Sequence, residues 1–136
     1  MNRINATLTN WAPHALSLMR IVAGLLFLQH GLVKLFAFPM ASPTPPAVGS
    51  LIWYAGLIEI VGGVLVILGL LTRLVALIVA GEMAFAYFIG HSPRSIYPIQ
   101  NGGNLAILYC FVFLYLMFSG PGPWSVDAKR FTHPLM

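Results

Sequence analysis

Four apolar stretches, each long enough or nearly long enough to cross a lipid bilayer, constrain this chain more than any other feature of its sequence. A helix rises 1.5 Å per residue, so about 20 residues span the hydrocarbon core of a membrane. Only 7% of the 136 residues are charged and 59% are hydrophobic, whereas soluble domains carry roughly 25% charged residues. We therefore predict a single all-α domain, a transmembrane four-helix bundle, with spans near residues 16–38, 48–71, 74–90 and 104–119.

The connections and the orientation of the chain can also be predicted. Prolines between residues 39 and 46 end the first helix, and Thr72 and Arg73 mark a tight turn between the second and the third. By the positive-inside rule, the end that carries more Lys and Arg faces the cytoplasm. We expect both termini there, in the inner (plasma) membrane of a bacterium. The basic residues assigned to the inner end are Arg3, Arg20, Arg73, Lys129 and Arg130, against Lys34 and Arg94 outside.

Ionisable side chains lie inside the apolar stretches, where they cost several kcal/mol unless they face a bundle interior and find partners. Counting at 1.5 Å per residue from the outer helix ends places His30 about 12 Å deep, Glu59 about 15 Å and Glu82 about 13 Å. Three helices thus offer one group each at nearly one level. Lys34 follows one turn above His30 and points toward the outer surface. His30, Glu59 and Glu82 form the predicted catalytic layer. Lys34 is a predicted substrate-binding residue.

Further polar residues gather at the outer end of the chain's predicted spans. His91, Tyr97, Asn101 and Asn104 all fall in or beside the loop before the fourth stretch. We interpret them as the mouth of a polar funnel that opens outward, with His91, Asn101 and Asn104 as candidate substrate-binding residues. A layer with an aqueous entrance is more often a site than isolated polar residues are.

Small residues indicate close helix packing. Glycines let helix backbones approach in a membrane, and their spacing places Glu59 on the helix-facing side of its span. The same faces could pack within one chain or between copies, so a homo-oligomer is left open. The glycines concerned are Gly24 and Gly31 on the first helix and Gly56, Gly62 and Gly63 on the second.

Each polar residue also has a purely structural interpretation. His30 could donate a hydrogen bond to a carbonyl, and Lys34 with Glu59 could form a structural ion pair. Cys110 is the only cysteine, which excludes an intrachain disulfide and a C-x-x-C pair. The net charge of +4 comes without a basic run, so we expect lipid contacts and no nucleic-acid partner.

Several segments of the chain, in order and with similar spacing, resemble the DoxX family of small four-helix membrane proteins. They are GLLFLQHGLVKLF from Gly24, GLIEIVGGVLVILGLLTR from Gly56, GEMAFAYF from Gly81, NGG from Asn101 and GPGPWSVDA from Gly120. The resemblance implies a four-helix bundle associated with quinone-linked or thiol redox chemistry, because the founding member is similar to a subunit of a thiosulfate:quinone oxidoreductase.

The family pattern also implies which residues matter in this chain. It supplies His30, Gly31 and Lys34 on the first helix, Glu59 and Gly63 on the second, Glu82 on the third, and the NGG motif before the fourth. One position departs from the pattern, since Asn104 stands where the family commonly has an acid. An amide can donate and accept hydrogen bonds, but it cannot release a proton.

Quinone chemistry also has support from the residue types themselves. Reduction of a quinone needs two protons at its oxygens, and a His and a buried Glu are suitable donors while a Lys stabilises negative charge. The sequence has no dinucleotide-binding motif, no C-x-x-C and no c-type haem motif. Electrons would therefore come from a redox partner protein or from the substrate, with this chain as a subunit of a quinone-linked oxidoreductase and quinone as its cofactor.

Three alternatives stay open at this stage. The same polar funnel could conduct protons or a small anion as a channel or carrier. The chain could be a structural anchor that docks a redox partner on the membrane. Ligation of haem b by His30 and His91 is the weakest alternative, because their depths differ by about 10 Å. No metal site is predicted.

Overall fold

A computed structural model describes residues 3–131 of the chain, so residues 1–2 and 132–136 at the two termini lie outside the described part. Every regular element between residues 3 and 131 is helical, which confirms the all-α prediction. The third helix continues beyond Phe85 through a π-helical segment, Ala86–His91, and a 3₁₀ turn, Ser92–Arg94. The α-helices are α1 (Arg3–Phe36), α2 (Leu51–Leu68), α3 (Thr72–Phe85), α4 (Pro98–Asn101), α5 (Asn104–Ser119) and α6 (Val126–Phe131).

Three of these helical segments are long and apolar enough to cross a membrane: Arg3–Phe36, Leu51–Leu68 and Thr72–Arg94. They correspond to the first three predicted spans, although α1 begins at Arg3 and not near residue 16. The fourth apolar helix, α5, has 16 residues, about 24 Å at 1.5 Å per residue. Its bounds coincide with the predicted stretch 104–119.

Local sequence explains where the helices start and stop. The Ser50 hydroxyl accepts a hydrogen bond from the Trp53 amide at 3.3 Å and caps the start of α2. Gly69 ends α2 with a φ of 66°, a left-handed conformation that glycine adopts without steric cost. Asp127, a residue distant in the sequence, caps the start of α3. Its carboxylate accepts hydrogen bonds from the amides of Leu71 and Thr72 at 2.9 Å each.

The helices pack as two close pairs, α1 with α2 and α3 with α5, and α2 joins the pairs by contacting α3. Glycine determines how closely α1 approaches α2: a Cβ on Gly31 would lie 2.6 Å from Ile60 Cγ1 and 2.7 Å from the Gly56 carbonyl oxygen. The predicted role of these glycines in helix contact is confirmed. By contrast, α1 meets α5 mainly through aromatic rings, with Phe27 at 5.6 Å from Tyr109 and 4.9 Å from Phe113 between ring centroids.

Candidate functional site

An ion pair connects the last turn of α1 to the middle of α2. Lys34 Nζ lies 2.6 Å from Glu59 Oε1, and the Glu59 side chain is only 2% exposed while that of Lys34 is 27% exposed. The approach depends on Gly31 and Gly56, whose missing side chains leave room between the two helices. The sequence-based prediction that Glu59 is enclosed is therefore confirmed, and its partner is Lys34.

A second acid faces the same cluster from α3. Both carboxyl oxygens of Glu82 are buried and find no hydrogen-bond partner among residues 3–131, and the same holds for Glu59 Oε2. Glu82 lies close enough to Glu59 and Lys34 for their charges to act on it. Lys34 pairs with Glu59, and Glu82 lies near this pair without a hydrogen-bond partner of its own in residues 3–131. An unpaired buried carboxylate is costly, so this arrangement accommodates a proton on one of the two acids.

His30 lies at the boundary between α1 and α5, at the edge of the site formed by Lys34, Glu59 and Glu82. Its ring is exposed, and Nδ1 lies 3.0 Å from the carbonyl oxygen of Leu26 in the preceding turn. The ring meets buried Tyr109 of α5 edge-on, with 5.9 Å between centroids. His30 is still within electrostatic range of Glu59. The site thus joins residues of four helices, which we call the polar cluster: His30, Lys34, Glu59, Glu82 and Tyr109.

Two of the predicted substrate-binding residues, His91 and Asn101, hold together the segment before α5. The Asn101 amide donates to the Ser95 carbonyl at 2.9 Å, and its Oδ1 accepts from the Gly103 amide at 2.8 Å. His91 Nδ1 lies 3.0 Å from the Asn101 carbonyl oxygen and 3.1 Å from Arg94 Nη2. Nδ1 either carries a proton and donates to the Asn101 carbonyl, or lacks one and accepts from Arg94.

Asn104 differs from these loop residues. It is exposed in the first turn of α5, and its side chain forms no hydrogen bond within the described part of the chain. It follows Gly103, where a Cβ would lie 2.6 Å from the Tyr87 ring. Asn104 is therefore available to a ligand near the π-helical segment that contains Tyr87, whereas Asn101 is 3% exposed and already paired.

Arg20 is an important polar residue whose role sequence analysis missed. Its side chain is fully buried, and it donates hydrogen bonds to carbonyl oxygens of α2 and of the segment after α5. Nη1 binds Val66 and Ile67, the latter at 2.7 Å; Nε binds Pro121 at 2.8 Å; Nη2 binds Trp124. The guanidinium fixes the segment that follows α5 to the end of α2, at the opposite end of the helices from the polar cluster. Its role is therefore structural.

No group of three or more His, Cys, Asp and Glu side chains in residues 3–131 is arranged to hold a metal ion. The polar cluster holds acids, a lysine and a histidine that faces outward. Its chemistry is that of hydrogen bonding, charge compensation and proton exchange.

Apolar helices of spanning length around a buried polar cluster define the class of this protein: it is a helical integral membrane protein. The chain belongs to the DoxX family, whose family model matches residues 15–92. An uncharacterised protein of Haemophilus influenzae is 44% identical over 129 residues, which cover 91% of this chain and 96% of that protein. An uncharacterised membrane protein of Mycobacterium tuberculosis is 28% identical over 137 residues, covering 86% of this chain and 82% of its own. No solved structure matches the chain.

Proposed function

We propose that this protein is a quinone- or quinol-interacting membrane subunit of a redox system. The observation that carries the proposal is the polar cluster itself: inside a membrane protein, Glu59 is paired with Lys34, and Glu82 lies near them with no hydrogen-bond partner in residues 3–131. Ionisable residues at membrane depth are rare, and each is by default a candidate functional residue. A quinone supplies two-electron redox chemistry when bound, and its reduction consumes two protons.

A ligand would reach this cluster from the lipid at the boundary between α1 and α5, where His30 is exposed. The two helices meet through rings and not through closely packed backbones, and His30 is exposed there beside Tyr109. A flat head group could approach the His30 ring while an apolar tail stays among the exposed hydrophobic side chains. His30 keeps Nδ1 near the Leu26 carbonyl, which leaves Nε2 to face a ligand oxygen.

The other residues of the cluster have separate roles in this proposal. Lys34 is partly exposed at the outer end of the site, where it compensates negative charge on a bound head group or attracts an anionic substrate. Glu59 and Glu82 hold and exchange protons, since one lysine can neutralise only one of them. Asn104 orients the head group from the first turn of α5 through its free amide. Electrons come from a partner protein or from the substrate.

We further propose that α5 is a fourth span and that both termini face the cytoplasm. Basic residues support this orientation, because Arg20, Arg73 and Arg130 lie at one end of the helices and Lys34 and Arg94 at the other. A 16-residue helix is short for a bilayer, and thinning or snorkelling of flanking residues accommodates such a mismatch.

Quinone affinity in lipid nanodiscs tests the proposal directly. The purified protein is titrated with a membrane quinone. The affinity of the wild type is compared with those of His30→Ala and Glu59→Gln. We expect at least tenfold weaker binding in both, about 1.4 kcal/mol. His14→Ala is the matched control, because His14 packs between Trp11 and Trp124 near Arg20 and away from the cluster. Affinities equal to wild type in both cluster variants would contradict the proposal.

The same variants separate the two other functions that the polar cluster could serve. Sealed vesicles containing the protein are tested for proton or anion flux without any electron donor. Flux that His30→Ala or Glu59→Gln abolishes would favour a channel or carrier over the redox proposal. A change in stability alone, with quinone binding and flux unaffected, would favour a structural anchor.

A further inference from the structure

The end of the molecule opposite the polar cluster contains an open cleft between the start of α3 and the segment that links α5 to α6. The cleft has a volume of about 650 Å³. Apolar and polar groups share its wall, and none of them belongs to the polar cluster. The residues that bear on its chemistry are Leu71, Arg73, Leu74, Pro121, Pro123 and Asp127.

Arg73 is the cation of this cleft, and the fold holds its side chain in place. Nη1 donates to the carbonyl oxygens of Met117 at 2.8 Å and Phe118 at 2.7 Å, at the end of α5. Nη2 and Nε have no hydrogen-bond partner in residues 3–131, so three of the five N–H donors of the guanidinium stay available. Gly120 leaves them room, since a Cβ there would lie 3.2 Å from Nη2.

Asp127 lies in the same wall, but its charge is already engaged. Its carboxylate accepts from the amides of Leu71 and Thr72 and from the Thr72 hydroxyl, each at 2.9 Å. Burial acts to raise the pKa of Asp127, yet these hydrogen bonds and the charge of Arg130 outweigh it and leave the pKa lowered. The first amides of α3 are thereby satisfied from within the chain. An anion in the cleft would therefore meet Arg73 and not the helix start.

The surroundings of Arg73 indicate what kind of anion fits. Leu71 is 54% exposed and Leu74 57% exposed beside it, and Trp124 is 51% exposed across the linking segment. Arginine donors bordered by exposed leucines suit a ligand that carries its negative charge on an apolar body. Trp is also the residue type that lies at the level of lipid headgroups.

We propose that this cleft binds the phosphate group of an anionic phospholipid, with Arg73 donating to the phosphate and Leu71 and Leu74 lying against the acyl chains. The planar guanidinium can donate two parallel hydrogen bonds to phosphate oxygens, which an ammonium cannot. The site is independent of the proposed quinone chemistry, because none of its residues belongs to the polar cluster.

Native mass spectrometry of the full chain in detergent tests this site, with added phosphatidylglycerol and with phosphatidylcholine of the same acyl chains. We expect Arg73→Gln to weaken phosphatidylglycerol binding about tenfold, which is about 1.4 kcal/mol. Its effect on phosphatidylcholine should be smaller, because the choline group of that lipid compensates the phosphate charge. Arg94→Gln is the matched control, because it removes an equal charge at the other end of the helices. Equal phosphatidylglycerol binding by Arg73→Gln and wild type would overturn the proposal.

Two further measurements distinguish the loss of a lipid site from a folding defect and from binding of a different anion. The midpoint temperature of thermal unfolding of the wild type should rise more with phosphatidylglycerol than with phosphatidylcholine. Equal rises would show that the cleft does not select a lipid of net negative charge, and would overturn the proposal. Inorganic phosphate is added as a competitor, and we expect it to leave the bound lipid in place. Displacement of the lipid by phosphate at millimolar concentration would assign the site to a soluble anion instead.

Discussion

Lys34 Nζ and Glu59 Oε1 are 2.6 Å apart, and this contact ties the last turn of α1 to the middle of α2. The two partners differ in surroundings, because the Glu59 side chain is 2% exposed whereas that of Lys34 is 27% exposed. The loss of one partner is therefore not equivalent to the loss of the other. The consequences can be measured separately.

Lys34→Met should destabilise the protein more than Glu59→Gln does. The first change leaves a buried carboxyl without its cation, at a cost of about 3 kcal/mol; the second leaves a lysine that can turn toward solvent. Unfolding by sodium dodecyl sulfate in mixed micelles measures both. The double variant should be more stable than Lys34→Met alone, since it removes the orphaned acid. A larger loss for Glu59→Gln than for Lys34→Met would contradict this assignment of burial.

Glu82→Gln should change stability little while removing proton exchange. Neither carboxyl oxygen has a hydrogen-bond partner in the described chain, so an isosteric amide loses no contact, and we expect a change within about 0.5 kcal/mol. If the proposed function holds, proton uptake on quinone reduction in reconstituted vesicles falls. A stability loss comparable to that of Lys34→Met would mean that Glu82 is held by contacts of its own.

The helices and the burial of Glu59 were predictable from the sequence for a simple physical reason. Apolar length determines where a helix can cross a membrane, and glycine spacing identifies its contact face. That is why α5 has the predicted bounds and why Glu59 is buried beside Gly62 and Gly63. Both signals lie within a few residues of the feature that they predict.

Features that depend on rotation about a helix axis or on distant segments could not be predicted in this way. His30 and Lys34 are four residues apart, which at 3.6 residues per turn leaves them about 40° apart around α1. That offset turns Lys34 to Glu59 and leaves His30 exposed beside Tyr109. The Arg20 contacts were missed because they join residues 46 to 104 positions apart, and no periodic pattern encodes such a contact.

The stability that Asp127 provides should depend on pH in a defined direction. Its pKa in the folded protein is lowered, so its contribution is full above the unfolded value of about 4 and is lost as the pH falls through the folded value. Asp127→Asn should therefore lower the free energy of unfolding at neutral pH by roughly 1 kcal/mol, the value of a helix cap. The midpoint temperature of thermal unfolding should fall with it. The difference from wild type should vanish in acid. A difference that persists unchanged in acid would show that the charge is not what caps α3.

Arg20→Lys should be destabilising although it keeps the charge. An ammonium has a single nitrogen, and it cannot reach the carbonyls of α2 and those of Pro121 and Trp124 together. Loss of the remaining charged hydrogen bonds should cost at least about 2 kcal/mol in detergent unfolding. Arg94→Lys, an exposed site, is the control and should stay within about 0.5 kcal/mol of wild type. Equal stability of the two variants would contradict the conclusion that Arg20 holds the segment after α5 in place.

Gly31→Ala should separate α1 from α2, because the new Cβ would lie 2.6 Å from Ile60 Cγ1 and 3.0 Å from Glu59 Cβ. Overpacking of this kind costs about 1–3 kcal/mol. Gly81→Ala offers a matched control on α3, where nothing lies within 4 Å of the added Cβ, and alanine's helix propensity should leave that variant equal to or up to about 1 kcal/mol above wild type. Unfolding midpoints of the two variants in the same detergent decide the matter. If Gly31→Ala proved as stable as Gly81→Ala, the close approach that brings Lys34 to Glu59 would not depend on glycine.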